Sequence, residues 1–293
     1  MGNRFVRGPS CSGDGAGAGA LALCYIGASG GFTMSRKVAL ITGASAGLGV
    51  QFAEQFAKDG HDVILVARGV AKLEELARKL EQAHGVKAHV LPADLGQPAA
   101  PEQLFARVQE LGLAVDFLVN NAGFGSSGPF LDQDLGREAE MVEVNCTALL
   151  KLTHLFARPM RERKQGRILN IASTAGFQPG PYMATYFATK AFVLSFTEAL
   201  AFELDGTGVT VTCHCPGATK TEFTARAGNA ESRLFKRSGV AEAPEVAGHA
   251  YAAMMKGEVL SIHGLLNRLA AFSLRFSPRA AVRFFTAKLN QQA

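Results

Sequence analysis

From Arg36 onwards, short apolar runs alternate with helical patterns, and no other feature narrows the possible folds as far. "VALIT" (38–42), "DVILVA" (62–67), "VKAHVLPA" (86–93), "VDFLVN" (115–120), "GRILNIAS" (166–173) and "VTVTCHC" (209–215) are near-continuous apolar runs. A strand covered on one face alternates apolar with polar residues; one covered on both faces does not. These runs therefore read as strands buried on both sides. Between them lie "GVQFAEQFAKDG", "VAKLEELARKLEQAHG", "PEQLFARVQELG", a stretch around 135–163, and "YFATKAFVLSFTEALAFELDG". Each has helical periodicity, and several end in glycine, a common helix stop. Strict alternation of the two predicts an α/β protein with a doubly wound parallel β-sheet and helices on both faces.

With 48% hydrophobic residues the chain can bury a sizeable core. No internal repeat or linker divides residues 34–262, which read as one domain. Residues 1–33 differ: they are Gly/Ala/Ser-rich and almost without acids. They are expected to form a disordered extension, with Met34 as the start of the working chain. Residues 263–293 form an amphipathic helical extension that could pack on the domain, on a partner subunit or on a membrane surface. Within it, Ser277-Pro278 reads as the N-cap and first residue of a helix. Net charge is +5, but the cations are interleaved with acids, which argues against nucleic acid. Five cysteines make no disulfide framework. Cys213 and Cys215 read as buried strand residues rather than metal ligands, so no metal is expected.

The first strand runs into "TGASAGLG" (42–49). Glycines in such a turn let backbone amides approach a pyrophosphate at the N-terminus of the following helix. Gly43, Ser45, Ala46, Gly47, Leu48 and Gly49 are therefore candidate cofactor residues. The second strand ends in Ala67-Arg68, where an acid would bind a ribose 2′-hydroxyl. An arginine suits a 2′-phosphate instead, and no nearby carboxylate in the sequence repels one. NADP(H) is expected over NAD(H).

Together with "ADL" (93–95), "NNAG" (120–123), Asn145, Ser173, "YFATK" (186–190) and "PGATKT" (216–221), the chain resembles the short-chain dehydrogenase/reductase family from Lys37 to about Val259. The resemblance implies a Rossmann-type fold and an oxidoreductase acting on a carbonyl or alcohol. It implies Tyr186 as general acid or base, with Lys190 one helical turn along depressing the phenol's pKa and binding the nicotinamide ribose. Ser173 would donate to the substrate oxygen, and Asn145, in the long helix, would hold a water. Asp94, Leu95, Asn121, Ala122 and Gly123 would line the adenosine side. Pro216, Gly217, Thr219 and Thr221 would close over the nicotinamide.

A variable lid is expected at about 219–243. Phe124, Phe177, Gln178, Tyr182 and Phe223 are candidate substrate contacts, suggesting an apolar ketone, aldehyde, steroid-like or acyl substrate. A homodimer or homotetramer in a cytoplasmic setting is expected, with peripheral membrane contact through 264–290 left open. The alternative is a catalytically silent NADPH-binding regulator on the same fold.

Overall fold

The first strand, β1 (Val38–Thr42), is buried at all five residues and sends alternate side chains to opposite faces. Ala39 and Ile41 join one core cluster, Val38 and Leu40 another. An unbroken apolar run is what two such clusters require. The structure, a computed structural model, describes residues 36–221 and 240–291. Expectations for residues 1–33, for Phe223 and for 222–239 of the lid lie outside the described residues.

After β1 come α1 (Leu48–Lys58), β2 (Asp62–Val66), α2 (Val70–His84), β3 (Ala88–Val90), α3 (Ala100–Glu110) and β4 (Val115–Asn120). Next are α4 (Leu135–Val142), α5 (Leu149–Glu162), β5 (Gly166–Ile171), α6 (Ala184–Glu203) and β6 (Val209–Cys215). Two short strands, β7 (Thr219–Lys220) and β8 (Ala241–Glu242), pair with each other. The chain continues through α7 (Ala243–Lys256), β9 (Leu260–Ile262), α8 (Leu265–Ser273) and α9 (Arg279–Asn290).

The main sheet is parallel throughout, with order β3-β2-β1-β4-β5-β6-β9. This is the Rossmann-type doubly wound architecture. Its last strand, β9, went unread in the sequence, because only three residues pair with β6. Helix α9 starts one residue later than the sequence suggested. Ser277 does not cap it; its hydroxyl donates to the Ser273 carbonyl at 2.9 Å, and Pro278 precedes the helix.

On one face of the sheet, Phe52, Phe56 and Ala57 of α1 recur at helical spacing and meet α2 and α7. On the other lie Leu104 and Val108 of α3, Leu152 and Phe156 of α5, and Leu204 after α6. Phe56 is fully buried and meets Tyr251 edge-on at 4.9 Å. Truncating Phe56 to alanine should cost about 3–5 kcal/mol in a urea melt; a loss below about 1 kcal/mol would mean the layer collapses to fill the space.

The strand order reverses where β4 sits beside β1. Connections leaving the C-terminal ends of these two strands run to opposite faces, which opens a crevice between them.

Candidate active site

That crevice is a cavity of about 820 Å³. Its floor is the turn after β1. Gly43 has φ +68°, a conformation glycine adopts without strain. At Gly49 a Cβ would stand 2.1 Å from the Gly43 carbonyl oxygen, so Gly49 lets α1 begin directly against the turn without itself lining the cavity. Ser45, Ala46, Gly47 and Leu48 do line it. No side chain caps α1, which leaves its first amide hydrogens for an anion.

Asn121 braces this turn. Its Nδ2 donates to the Thr42 carbonyl at 2.8 Å, and its backbone N–H donates to Thr42 Oγ1 at 2.9 Å. Ala122 and Gly123 continue the wall.

At one end of the cavity lie Arg68, Lys72, Asp94 and Leu95. Arg68 Nη1 donates to Glu140 Oε1 at 3.3 Å. The expectation that no carboxylate stands near Arg68 is corrected here, because α4 brings Glu140 across from 72 residues away. Both partners are substantially exposed. A pair of that kind contributes about 0.2–1 kcal/mol, so Arg68 can leave it for a phosphate at little cost.

At the other end stand Ser173, Tyr186 and Lys190. Ser173 caps a 3₁₀ turn (Thr174–Phe177), its Oγ accepting from the Ala175 N–H at 3.1 Å. Burial pushes the Tyr186 phenol up to about 12, with a hydrogen bond from Ser173 acting in the opposite direction. Lys190 Nζ donates to the Ile171 carbonyl at 2.8 Å and lies 5.7 Å from the Tyr186 ring centroid. Burial also lowers its ammonium to about 8, against the thiols of Cys146, Cys213 and Cys215. The expected depression of the phenol by Lys190 is therefore not seen: desolvation dominates, and the ammonium is directed to the end of β5.

Asn145 sits behind this group rather than on the cavity wall. The stretch read as one long helix is broken by a π-helical turn, Glu143–Ala148, which carries Asn145 inward. Its Nδ2 donates to the Phe124 carbonyl at 2.9 Å and to Thr189 Oγ1 at 3.1 Å, and its Oδ1 accepts from the Phe124 N–H. One Oδ1 lone pair is left for a further donor.

Pro216, Gly217, Thr219 and Thr221 border the cavity. Asn267 of α8 crowds Gly217, where a Cβ would meet its Nδ2 at 2.4 Å. Among the substrate candidates, Phe124 and Gln178 line the cavity. Phe177 packs on the cluster around Leu149 and Val193. Tyr182, with φ +67°, turns its Oη to accept from Gln291 Nε2 at 3.0 Å.

Sequence reasoning missed Lys72, Arg137, Glu140, Val144 and Met183; it expected the helical extension 263–293 to pack on the domain, a partner or a membrane, but named none of its residues at the site. Thr286, Leu289 and Asn290 of α9 close the cavity, tied down where Asn290 Nδ2 donates to the Pro181 carbonyl at 2.9 Å. The one available signal was Asn290 on the inward side of an amphipathic helix. The residues present fit a nicotinamide dinucleotide: an uncapped helix N-terminus at the centre, cations at one end, and a lysine and a phenol at the other.

A family profile described as short chain dehydrogenase matches residues 37–232. The chain is 41% identical over 178 residues to the very-long-chain 3-oxoacyl-CoA reductase of Neurospora crassa, covering 59% of this chain but only 53% of that protein. It is 36% identical over 182 residues to the 7beta-hydroxysteroid dehydrogenase of Collinsella aerofaciens, covering 62% of this chain and 68% of that protein. Among solved structures, a short-chain dehydrogenase from Sphingobium yanoikuyae in complex with NADPH superposes with a TM-score of 0.74 at 36% identity. That match covers 81% of this chain and 92% of the other.

Proposed function

Because the chain belongs to the short-chain dehydrogenase family, we propose that it interconverts a carbonyl and an alcohol on an apolar small molecule, using NADP(H) in preference to NAD(H). The observation that carries this reading is the single cavity that joins Arg68 and Lys72 at one end to Ser173, Tyr186 and Lys190 at the other. Both relatives' names describe substrates with large apolar bodies, an oxoacyl chain and a steroid.

A nicotinamide cofactor bound there supplies the hydride. Tyr186 holds the proton that goes to the substrate oxygen as negative charge develops on it. A phenol raised to about 12 is protonated at neutral pH, which suits carbonyl reduction. Ser173 donates to the same oxygen. Lys190 orients the nicotinamide ribose from its anchor on the Ile171 carbonyl, and Asn145 holds the Phe124 backbone against the site.

The test is NADPH consumption by the purified protein across a panel of apolar ketones, aldehydes and acyl thioesters. Tight NADPH binding with no turnover would indicate a silent cofactor-binding protein instead. Arg68→Asp should lower the NADPH-to-NADH preference, read as a ratio of kcat/KM values, by roughly tenfold to a hundredfold. An unchanged ratio would refute the 2′-phosphate role of Arg68.

A further inference from the structure

Helices α8 and α9 pack inward through small or short side chains, Ala271, Val282 and Thr286 among them. Their outer side is different. Leu265, Leu266, Leu269 and Phe272 of α8, Phe276 beyond it, and Phe284 and Phe285 of α9 are each more than half exposed. Phe272 and Phe276 lie 5.4 Å apart between ring centroids, and Phe284 and Phe285 5.7 Å apart; exposed apolar clusters of this kind mark a place where something docks.

The same segment is strongly basic on its exposed side, and Lys288 Nζ lies 4.4 Å from the Phe284 ring centroid. Arg268, Arg275, Arg279, Arg283 and Lys288 are all exposed, and residues 259–293 contain no acid. None of the five has an ion-pair partner among the described residues. A two-fold contact with a second copy would set these cations against themselves. An anionic surface would instead neutralise them while its apolar layer covers the aromatic side chains. Among the described residues no helix is long and apolar enough to cross a membrane, so a partner of this chemistry is met from the side.

We propose that the α8–α9 face docks on an anionic lipid bilayer, with its leucine and phenylalanine side chains in the headgroup–acyl boundary and its cations over the anionic headgroups. Docking also bears on the substrate. Phe285 is exposed and at the same time walls a second, apolar cavity of about 210 Å³ beneath α9. That cavity shares Gln178, Thr286 and Leu289 with the larger one. A bilayer-dissolved carbonyl compound would thus reach Tyr186 along an apolar path; this last step rests on the proposed oxidoreductase function, whereas the docking does not.

The experiment is co-sedimentation of the full-length protein with phosphatidylcholine vesicles, with and without phosphatidylglycerol, and needs no substrate. Binding is expected only with phosphatidylglycerol, and it should weaken as salt is raised. The triple variant R275E/R279E/R283E should reduce partitioning by on the order of a hundredfold. F276S/F284S should also release the protein, while circular dichroism and turnover of a water-soluble ketone stay as in the parent. Absence of binding to either vesicle would overturn the proposal, as would equal binding to both or undiminished binding by the charge variant. A dimer that F276S/F284S splits, with no vesicle binding, would assign the face to a second copy. Vesicle binding without any turnover would leave docking standing and sink the enzymatic reading alone.

Discussion

Tyr186→Phe is expected to lower kcat by about 10²- to 10⁴-fold, the range a positioned general acid contributes, while the dissociation constant for NADPH stays within a few-fold of the parent. The substitution removes one oxygen from a side chain that is otherwise held as before. The ring stays beside Phe187 and within reach of the Lys190 ammonium, so the cavity keeps its shape. What disappears is the proton and the hydrogen bond with Ser173. A stopped-flow measurement of cofactor oxidation, paired with fluorescence titration of NADPH, separates chemistry from binding. Turnover within tenfold of the parent would place the acid on another residue. A large loss of NADPH affinity would show instead that the phenol positions the cofactor.

Lys190→Met should abolish turnover and yet stabilise the fold at neutral pH. Lys190 is 6% exposed, and burial holds its ammonium at about 8, below its usual 10.5. A folded-state value below the unfolded one means that charging this group opposes folding. Below pH 8 the cost is present in full, roughly 3 kcal/mol from the size of the displacement. Between about 8 and 10.5 the unfolded chain binds the extra proton, so stability rises with pH and the cost fades. Methionine avoids it but leaves the Ile171 carbonyl without its donor, which returns about 1–3 kcal/mol. The balance leaves the variant more stable than the parent by up to about 2 kcal/mol at pH 7 in a urea melt. Above pH 10 that advantage should vanish. A variant less stable than the parent at pH 7, with the same gap at pH 10, would show that the ammonium is paid back by its surroundings. Retained turnover would remove Lys190 from the site.

The parallel sheet and the position of the Gly-rich turn were legible because both follow from local rules. β1 could be read from five consecutive apolar residues, since no polar position interrupts a strand buried on both faces. The spacing of Gly43, Gly47 and Gly49 between that strand and α1 placed the crevice at the correct end of the sheet. Tyr186 and Lys190, four apart on α6, were bound to share a face. Less regular pieces escaped. β9 is too short to show a period, and the π-helical turn around Asn145 differs from an α-helix by one extra residue that hydrophobic spacing does not register.

The sequence by itself thus determined the layer order, the Gly-rich turn and the pairing of phenol with ammonium, because each is a repeat or a spacing within one segment. Only the tertiary structure decided who else surrounds them. Glu140 reaches Arg68 from another helix, and Asn290 brings α9 over the cavity by bonding to Pro181, 109 residues earlier. The direction of the Tyr186 shift belongs to the same class. Desolvation sums over every atom packed near the hydroxyl, whichever part of the chain it comes from, and a one-dimensional pattern holds no record of that sum.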